Sequence, residues 1–204
     1  MKFLNYLQEA SVEPAPPFSP EQAAILIRKN CKPFLTRAKG AGFLWRGTWD
    51  KDLNLIEVIK TRKDRLPMNM NERIHKALNE AFKKKFGWKV RSEGVFCTGK
   101  RDQATDYGNA RLVFPIGEFK FVWSADVEDL LNFIPHEEYR YIWPKMSVKD
   151  LLNDKMFKEM IEMYTDNNLA GAIKWGNEIS IKCKQYYSVH NDWARHIAIR
   201  ELIK

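Results

Sequence analysis

Cysteine is scarce in this chain, and long apolar runs are missing. Its three cysteines, Cys31, Cys97 and Cys183, are widely spaced, which argues against a disulfide framework and against a zinc pattern of close pairs. No stretch reaches the roughly 18 uninterrupted apolar residues that a membrane helix requires. The start, "MKFLNYLQEASVEPAPP", is too polar after Leu7 for a secretory signal. We therefore expect a soluble cytoplasmic protein with reduced, structural thiols and no membrane partner.

Histidine and glycine do not occur in the patterns that common cofactors need. The four histidines are His75, His136, His190 and His196. They show no metal-ligand spacing, so we expect no metal site. The ten glycines are scattered, and none forms the spacing of a P-loop or of a dinucleotide-binding loop. The sequence therefore gives little indication of an enzyme that uses ATP.

Positive charge is in excess, with 34 basic against 26 acidic residues and a formal net charge of +8. Such an excess favours anionic partners, including nucleic acid, nucleotides and acidic protein surfaces, but it does not choose among them. The run "AFKKKFGWKVR" (81–91) is either a phosphate-contacting patch or a lysine-rich helix end that opposes the helix dipole. We favour the second interpretation.

Apolar residues make up 45% of the chain, which is enough for one domain with a substantial core. The segment "EPAPPFSPEQ" (13–22) carries four prolines, so it is a linker or an irregular wrap. We divide the chain into an N-terminal strap and helix, residues 1–34, and a main domain, residues 35–204. The two together form one structural unit in this interpretation.

Helical and strand-like patterns are mixed along the chain, which predicts an α+β fold with mostly antiparallel sheets. One helix should start at Ser19 and Pro20, a second should span 71–87, and a third 147–166. The strand-like runs are 42–48, 55–61, 90–99, 110–117, 118–124 and 176–190. In the last run, apolar and polar residues alternate from Glu178, which is typical of a half-buried strand.

Three polar residues lie in apolar surroundings on separate predicted strands. Arg46 in "FLWRGT" follows three apolar residues, and a buried arginine is costly unless it meets an anion or a carboxylate. Thr98 ends the apolar "GVFCTG", and Glu178 begins the strand in "GNEISI". Each also has a structural explanation: Arg46 as the partner of an acidic residue, Thr98 as a turn residue, and Glu178 as a solvated neighbour of Lys182.

A further pair of carboxylates, Glu137 and Glu138, lies beside His136 in "IPHEEYRYIWP". These groups suit acid and base catalysis, yet neighbouring residues on an extended segment point to opposite faces. We therefore rank this alternative below the three separated residues.

The order of an Arg-Gly strand, a Phe-x-Thr strand and a Glu-Ile-x-Ile strand followed by "YY" resembles the mono-ADP-ribosyltransferase superfamily of the arginine-serine-glutamate type. Arg46 with Gly47 matches the first motif, Phe96 and Thr98 the second, with threonine for serine, and Glu178 the catalytic glutamate. The resemblance covers about residues 35 to 190. The blocks at 104–108 and 113–130 resemble small bacteriophage proteins with the same core, which implies a host-cytoplasmic location for a phage-encoded member.

The resemblance implies curved mixed or antiparallel sheets, flanked by N-terminal and central helices, that bind NAD as a substrate without a metal. Glu178 is then the catalytic residue, because a carboxylate on the ribose 2′-hydroxyl stabilises the sugar cation that forms when nicotinamide leaves. Arg46 and Gly47 would contact the NAD diphosphate or ribose, and Thr98 would position the glutamate or the ribose. Phe96 or Tyr107 would stack on nicotinamide.

One departure from the family pattern concerns the acceptor of the ADP-ribose group. Many relatives carry a glutamate or glutamine two residues before the catalytic glutamate, whereas this chain has Gly176. A protein or a nucleic acid therefore remains possible as the acceptor, and NAD hydrolysis or an inactive fold also stays open. The alternative function is a non-enzymatic basic protein that binds nucleic acid or inhibits a host protein.

Overall fold

The computed structural model describes residues 19–49, 55–67, 70–130 and 141–204. Its helices are α1 (Pro20–Asn30), α2 (Lys32–Ala38), α3 (Glu72–Phe86), α4 (Val90–Glu93), α5 (Arg101–Thr105), α6 (Val148–Asn153), α7 (Lys155–Glu162), α8 (Leu169–Trp175) and α9 (Ile197–Arg200). Its strands are β1 (Trp45–Thr48), β2 (Ile56–Lys60), β3 (Val95–Cys97), β4 (Asn109–Pro115), β5 (Lys120–Ser124), β6 (Tyr164–Thr165), β7 (Ile179–Lys182) and β8 (Gln185–His190). Short 3₁₀ helices span Trp143–Lys145 and Asn191–Arg195.

The strands form two four-stranded sheets in which neighbouring strands are antiparallel. The first sheet has the order β1-β4-β8-β2, and the second has the order β3-β7-β5-β6. Backbone hydrogen bonds in both directions between Trp45 and Thr98, 2.7 and 2.8 Å long, join the first strand of each sheet. The predicted α+β class with antiparallel sheets is therefore confirmed.

A first core cluster fills the space between the two sheets and is closed by helices α1, α2 and α8. Ile27 of α1 and Phe34 of α2 are fully buried in it, so the segment from residue 19 onward packs as part of the domain. The predicted start of α1 is confirmed, because the Ser19 side chain accepts a hydrogen bond from the Gln22 backbone and Pro20 is the first helical residue. Residues 1–18 of the predicted strap lie outside the described residues.

A second core cluster covers the other face of the second sheet with α3, α6 and α7. Val122 contributes from the sheet, and Leu78 and Phe82 contribute from α3. The predicted helix at 71–87 is confirmed, since Asn71 caps its start and Gly87 ends it with a φ of 80°. The second sheet is thus covered on both faces.

Three secondary-structure predictions were wrong in part. The helix predicted at 147–166 breaks at Asp154, whose extended backbone ends α6 and whose carboxylate caps α7 at Phe157. The strand predicted at 90–99 begins as helix α4 before β3. Strand β7 is not half-buried, because core clusters cover both faces and Ser180 is only 3% exposed. The alternation of apolar and polar residues therefore did not predict which side chains of β7 are exposed.

Among the described residues, no helix combines the length and the apolar character that crossing a lipid bilayer requires.

Candidate active site where the two sheets meet

Arg46 lies at the junction of the two sheets, on β1, beside the bridge between Trp45 and Thr98. Its Nη1 atom donates a hydrogen bond to the backbone oxygen of Phe96, 3.2 Å away on β3. The guanidinium therefore reaches from the first sheet to the second. Because the charge is half-buried, it needs anionic or polar partners, as the sequence indicated.

Thr98 ties the end of β3 to the chain just before Glu178. Its hydroxyl lies 2.7 Å from the backbone oxygen of Gly176 and 2.8 Å from Oε1 of Gln103, and it accepts a hydrogen bond from the Lys100 backbone. A hydroxyl has one proton, so Thr98 donates to one of these two oxygens at a time. Its contact is with the backbone near Glu178 and not with the carboxylate.

Gly176 ends helix α8 in the left-handed backbone region, with a φ of 88°. Its backbone N–H donates to the oxygen of Ala172, which closes the helix, and its own oxygen meets Thr98. Non-glycine residues are strained in this conformation, and an added Cβ would also contact the side chain of Lys100. The local fold thus requires glycine at this position.

Glu178 immediately precedes β7. The last paired residues of β3 and β7 are Cys97 and Ile179, so one further step of the register sets Glu178 opposite Thr98. Its Oε1 atom lies 2.7 Å from Nη1 of Arg91, and the side chain keeps 18% of its surface exposed. Glu178 is therefore paired with Arg91 and not with Lys182, whose ammonium group contacts Glu93.

The electrostatic environment of Glu178 combines burial with charges of both signs. Burial raises the pKa of Glu178 above its ordinary value of 4.5, and the negative charge of Asp129 adds to the increase. Arg91 opposes both effects through its positive charge and its hydrogen bond. The carboxylate is thus held in a poorly hydrated setting, which strengthens its interaction with any positive charge that develops nearby.

Arg91 is a site residue that the sequence reasoning missed. It belongs to α4, is 8% exposed, and lies over the ring of Phe96 with its guanidinium carbon 4.1 Å from the ring centroid. The signal was present in "WKVRSEGVF", where an arginine stands close to a buried strand. The interpretation of 81–91 as a lysine-rich helix end, which α3 supports for its lysines, hid the different role of Arg91.

A buried polar network holds Arg91 in position. The Oδ1 atom of Asn79 on α3 accepts hydrogen bonds from the backbone N–H groups of Arg91 and Ser92, at 3.0 and 3.1 Å. Its Nδ2 atom donates to the Ser92 hydroxyl at 2.7 Å, and the ring of His75 also contacts that hydroxyl. Asn79 and His75 are both at most 6% exposed. Helix α3 therefore fixes the backbone that carries Arg91.

The two aromatic residues named for nicotinamide stacking have different settings. Phe96 is half-buried and has Arg91 on its ring, so this ring already serves as a platform for a guanidinium. Tyr107 is 53% exposed, and its hydroxyl donates to Oδ2 of Asp129 at 2.7 Å. That hydrogen bond raises the pKa of Tyr107 to about 12, so the phenol keeps its proton at neutral pH. Tyr107 has the more accessible ring.

Gly47 lies where helix α5 packs closely against β1. A Cβ atom at this position would lie 2.2 Å from the backbone oxygen of Ala104 and 2.8 Å from Cβ of Tyr107. The absence of a side chain is therefore explained by packing. A contact between NAD and Gly47 stays a prediction.

The remaining candidates are the carboxylate pair beside His136, a metal-binding cluster and a cysteine thiol. His136, Glu137 and Glu138 are outside the described residues. The described part of the chain contains no group of three or more His, Cys, Asp or Glu side chains that could hold a metal ion. Cys97 is buried next to the site, and burial raises the pKa of its thiol to about 12, which makes it a poor nucleophile.

Comparison with models of known protein families, with curated proteins and with solved structures finds no match to this chain. The functional interpretation therefore depends on the chemistry and the contacts of the residues described above.

Proposed function

We propose that this protein is an NAD-dependent mono-ADP-ribosyltransferase. One observation supports this most: Arg46, Thr98 and Glu178, far apart in the sequence, belong to one continuous set of contacts at the junction of the sheets. Arg46 contacts the backbone of Phe96, whose ring carries the Arg91 that pairs with Glu178. Thr98 contacts the backbone two residues before Glu178. A guanidinium, a hydroxyl and a carboxylate thereby come within the reach of one dinucleotide.

The proposed reaction breaks the bond between the nicotinamide nitrogen and C1′ of its ribose. The bonding electrons leave with nicotinamide, which becomes neutral, and the ribose gains the positive charge of an oxocarbenium ion. Glu178 accepts a hydrogen bond from the ribose 2′-hydroxyl and stabilises that charge as it develops. The acceptor then bonds to C1′ and releases a proton to solvent, so atoms and charge balance.

The remaining residues orient the substrate in this proposal. Arg46 binds the diphosphate or the adjoining ribose through its planar set of donors. Thr98 fixes the backbone before Glu178 and so sets the direction of the carboxylate. Arg91 opposes, through its positive charge and its hydrogen bond, the effect of burial that raises the pKa of Glu178. Tyr107 has the exposed ring that a nicotinamide stacking partner needs.

The acceptor proposed here is a protein with a positively charged surface. Two carboxylate residues lie near Glu178: the Glu128 backbone oxygen accepts the hydrogen bond of the Glu178 N–H at 2.8 Å, and the negative charge of Asp129 adds to the raised pKa of Glu178. These carboxylates repel the phosphates of a nucleic acid, although the chain as a whole is basic. In this proposal the two carboxylates attract a basic protein acceptor, whereas the arginines of the same site bind the diphosphate of NAD.

The test is incubation of the full chain with NAD labelled in its adenylate part and a cell lysate. Nicotinamide release and the label in protein and nucleic-acid fractions are measured for the wild type and for Glu178→Gln. We expect nicotinamide release and label in protein, both lost in the variant. No release and no label would refute the proposal, and salt-sensitive nucleic-acid binding that survives Glu178→Gln would instead support the non-enzymatic alternative.

A further inference from the structure

Three arginines converge around Phe96, and two of them have no role in the sequence-based interpretation. The guanidinium carbons of Arg91 and Arg65 lie 4.1 and 5.8 Å from the centroid of its ring. Nη1 of Arg46 lies 3.2 Å from its backbone oxygen. Arg46, Arg65 and Arg91 are called the arginine cluster below.

The cluster is built from three separate parts of the chain and is held by the backbone. Arg46 is on β1, Arg91 on α4, and Arg65 in the segment between β2 and α3. The N–H of Arg65 donates to the backbone oxygen of Ser92 at 3.1 Å, which attaches this segment to α4. Since Asn79 fixes the N–H groups of Arg91 and Ser92, the positions of Arg65 and Arg91 are coupled.

The positive charges of Arg65 and Arg91 disfavour each other. Burial lowers the pKa of Arg65, and the positive charge of Arg91 adds to the decrease. Both guanidinium carbons lie within 6 Å of the same ring centroid, so the two side chains are near enough for one diphosphate to contact both. Arginine forks match phosphate oxygens in two-point contacts, and a doubly charged diphosphate relieves repulsion among several guanidinium groups.

We propose that the arginine cluster is a binding site for the diphosphate of a nucleotide, with Arg65 and Arg91 acting beside Arg46. Arg91 gives one donor to Glu178 and has further N–H groups for a phosphate oxygen. If the ligand is NAD, this inference rests on the proposed function and sets the diphosphate next to the carboxylate that acts on the ribose. Diphosphate binding itself can be measured without any turnover.

The test is calorimetric titration of the full chain at low salt with inorganic pyrophosphate, ADP-ribose and orthophosphate. Variants Arg65→Lys and Arg91→Lys keep the charge but lose the planar fork. Arg200→Lys, at an exposed arginine of α9, is the matched control. Melting curves of each variant identify any that fails to fold, and Arg65→Lys is the more conservative of the two because Arg91 also contacts Glu178.

We expect pyrophosphate and ADP-ribose to bind more tightly than orthophosphate, and Arg65→Lys to weaken both by about tenfold, as for loss of one charge-assisted contact. Arg200→Lys should change nothing. Equal affinity in folded Arg65→Lys and wild-type protein, or no binding of either diphosphate, would overturn the inference.

The two proposals can fail separately. Diphosphate binding that depends on Arg65, without nicotinamide release, would refute the transferase and keep the site. Nicotinamide release with an unchanged KM for NAD in Arg65→Lys would keep the transferase and refute the site. If both hold, Arg65→Lys should raise KM more than it lowers kcat, because contacts to the diphosphate are the same before and during bond cleavage.

Discussion

Two pairs of an arginine and a glutamate are buried, and the two pairs have different settings. At the junction of the sheets, Arg91 of α4 and Glu178, which precedes β7, are 2.7 Å apart, and Glu178 is 18% exposed. In the first sheet, Arg111 and Glu57 are 3.8 Å apart on β4 and β2, and side-chain exposure is 5% and 10%. Arg111 stands in the apolar stretch "ARLVFP", whereas Arg91 follows a lysine-rich run.

The surroundings of each pair explain the difference. Arg111 also donates to the hydroxyl and backbone oxygen of Ser188 on the intervening strand β8, so its contacts lie within one sheet. Arg91 is held by a helix and contacts a carboxylate at a strand end, next to Arg46 of the other sheet. A pair enclosed within a sheet supports the fold, whereas a pair at a junction with partial exposure can meet a ligand.

The largest expected effect that separates the two pairs is on activity. Glu178→Gln should lower the rate of nicotinamide release about a hundred- to a thousandfold, because the amide carries no charge to stabilise the sugar cation. The measurement is the initial rate with saturating NAD. Glu57→Gln, the matched change in the other pair, should keep the wild-type rate while folded. Equal losses in both variants would remove the distinction between the pairs.

The reverse difference is expected in stability. Glu57→Gln should lower the free energy of unfolding by about 3–5 kcal/mol, because the Arg111 charge stays buried without its counter-charge. Glu178→Gln should change it much less, since burial already disfavours the ionised form of Glu178. Urea denaturation followed by far-ultraviolet circular dichroism measures both. A larger loss for Glu178→Gln would make its pair the structural one.

A smaller effect is expected at Thr98. Thr98→Val keeps the shape but removes the proton that Thr98 donates to the Gly176 or the Gln103 oxygen, and the acceptor of the Lys100 N–H, at a cost of about 1–3 kcal/mol in unfolding free energy. Nicotinamide release should fall as the Glu178 backbone loses its support, and Thr98→Ser should restore both properties. Failure of serine to restore the rate would show that the methyl group, and not the hydroxyl, positions the glutamate.

The smallest effect is a pH dependence of stability. In the folded protein the pKa of Glu178 lies above its ordinary value of 4.5. The ionised carboxylate therefore destabilises the fold; this destabilisation is absent below about pH 4.5 and increases as the pH rises through the pKa of the folded protein. The melting temperature of Glu178→Gln minus that of wild type should therefore be larger at about pH 7 than at about pH 4. A difference that decreases with pH would show that Arg91 outweighs burial.

Local elements were predictable because their signals are local. Ser19 with Pro20 starts α1, and Asn71 and Gly87 bound α3, as cap residues dictate. The site was predicted only in part. Arg46, Thr98 and Glu178 stood out as polar residues in apolar strands, whereas Arg91 was obscured by the lysines before it and Arg65 lies in a loop without a pattern. A residue whose role depends on contacts with distant parts of the chain is only weakly indicated by the residues next to it in the sequence.

The sequence by itself determined the α+β class, the start of α1, both ends of α3 and the presence of charged groups that burial would make costly, because periodicity, caps and solvation depend on neighbouring residues. Only the tertiary structure decided which charges meet. It paired Glu178 with Arg91 and not with Lys182, covered both faces of β7, and joined the two sheets at Trp45 and Thr98. These contacts depend on strand order and register, which connect residues that are far apart in the chain.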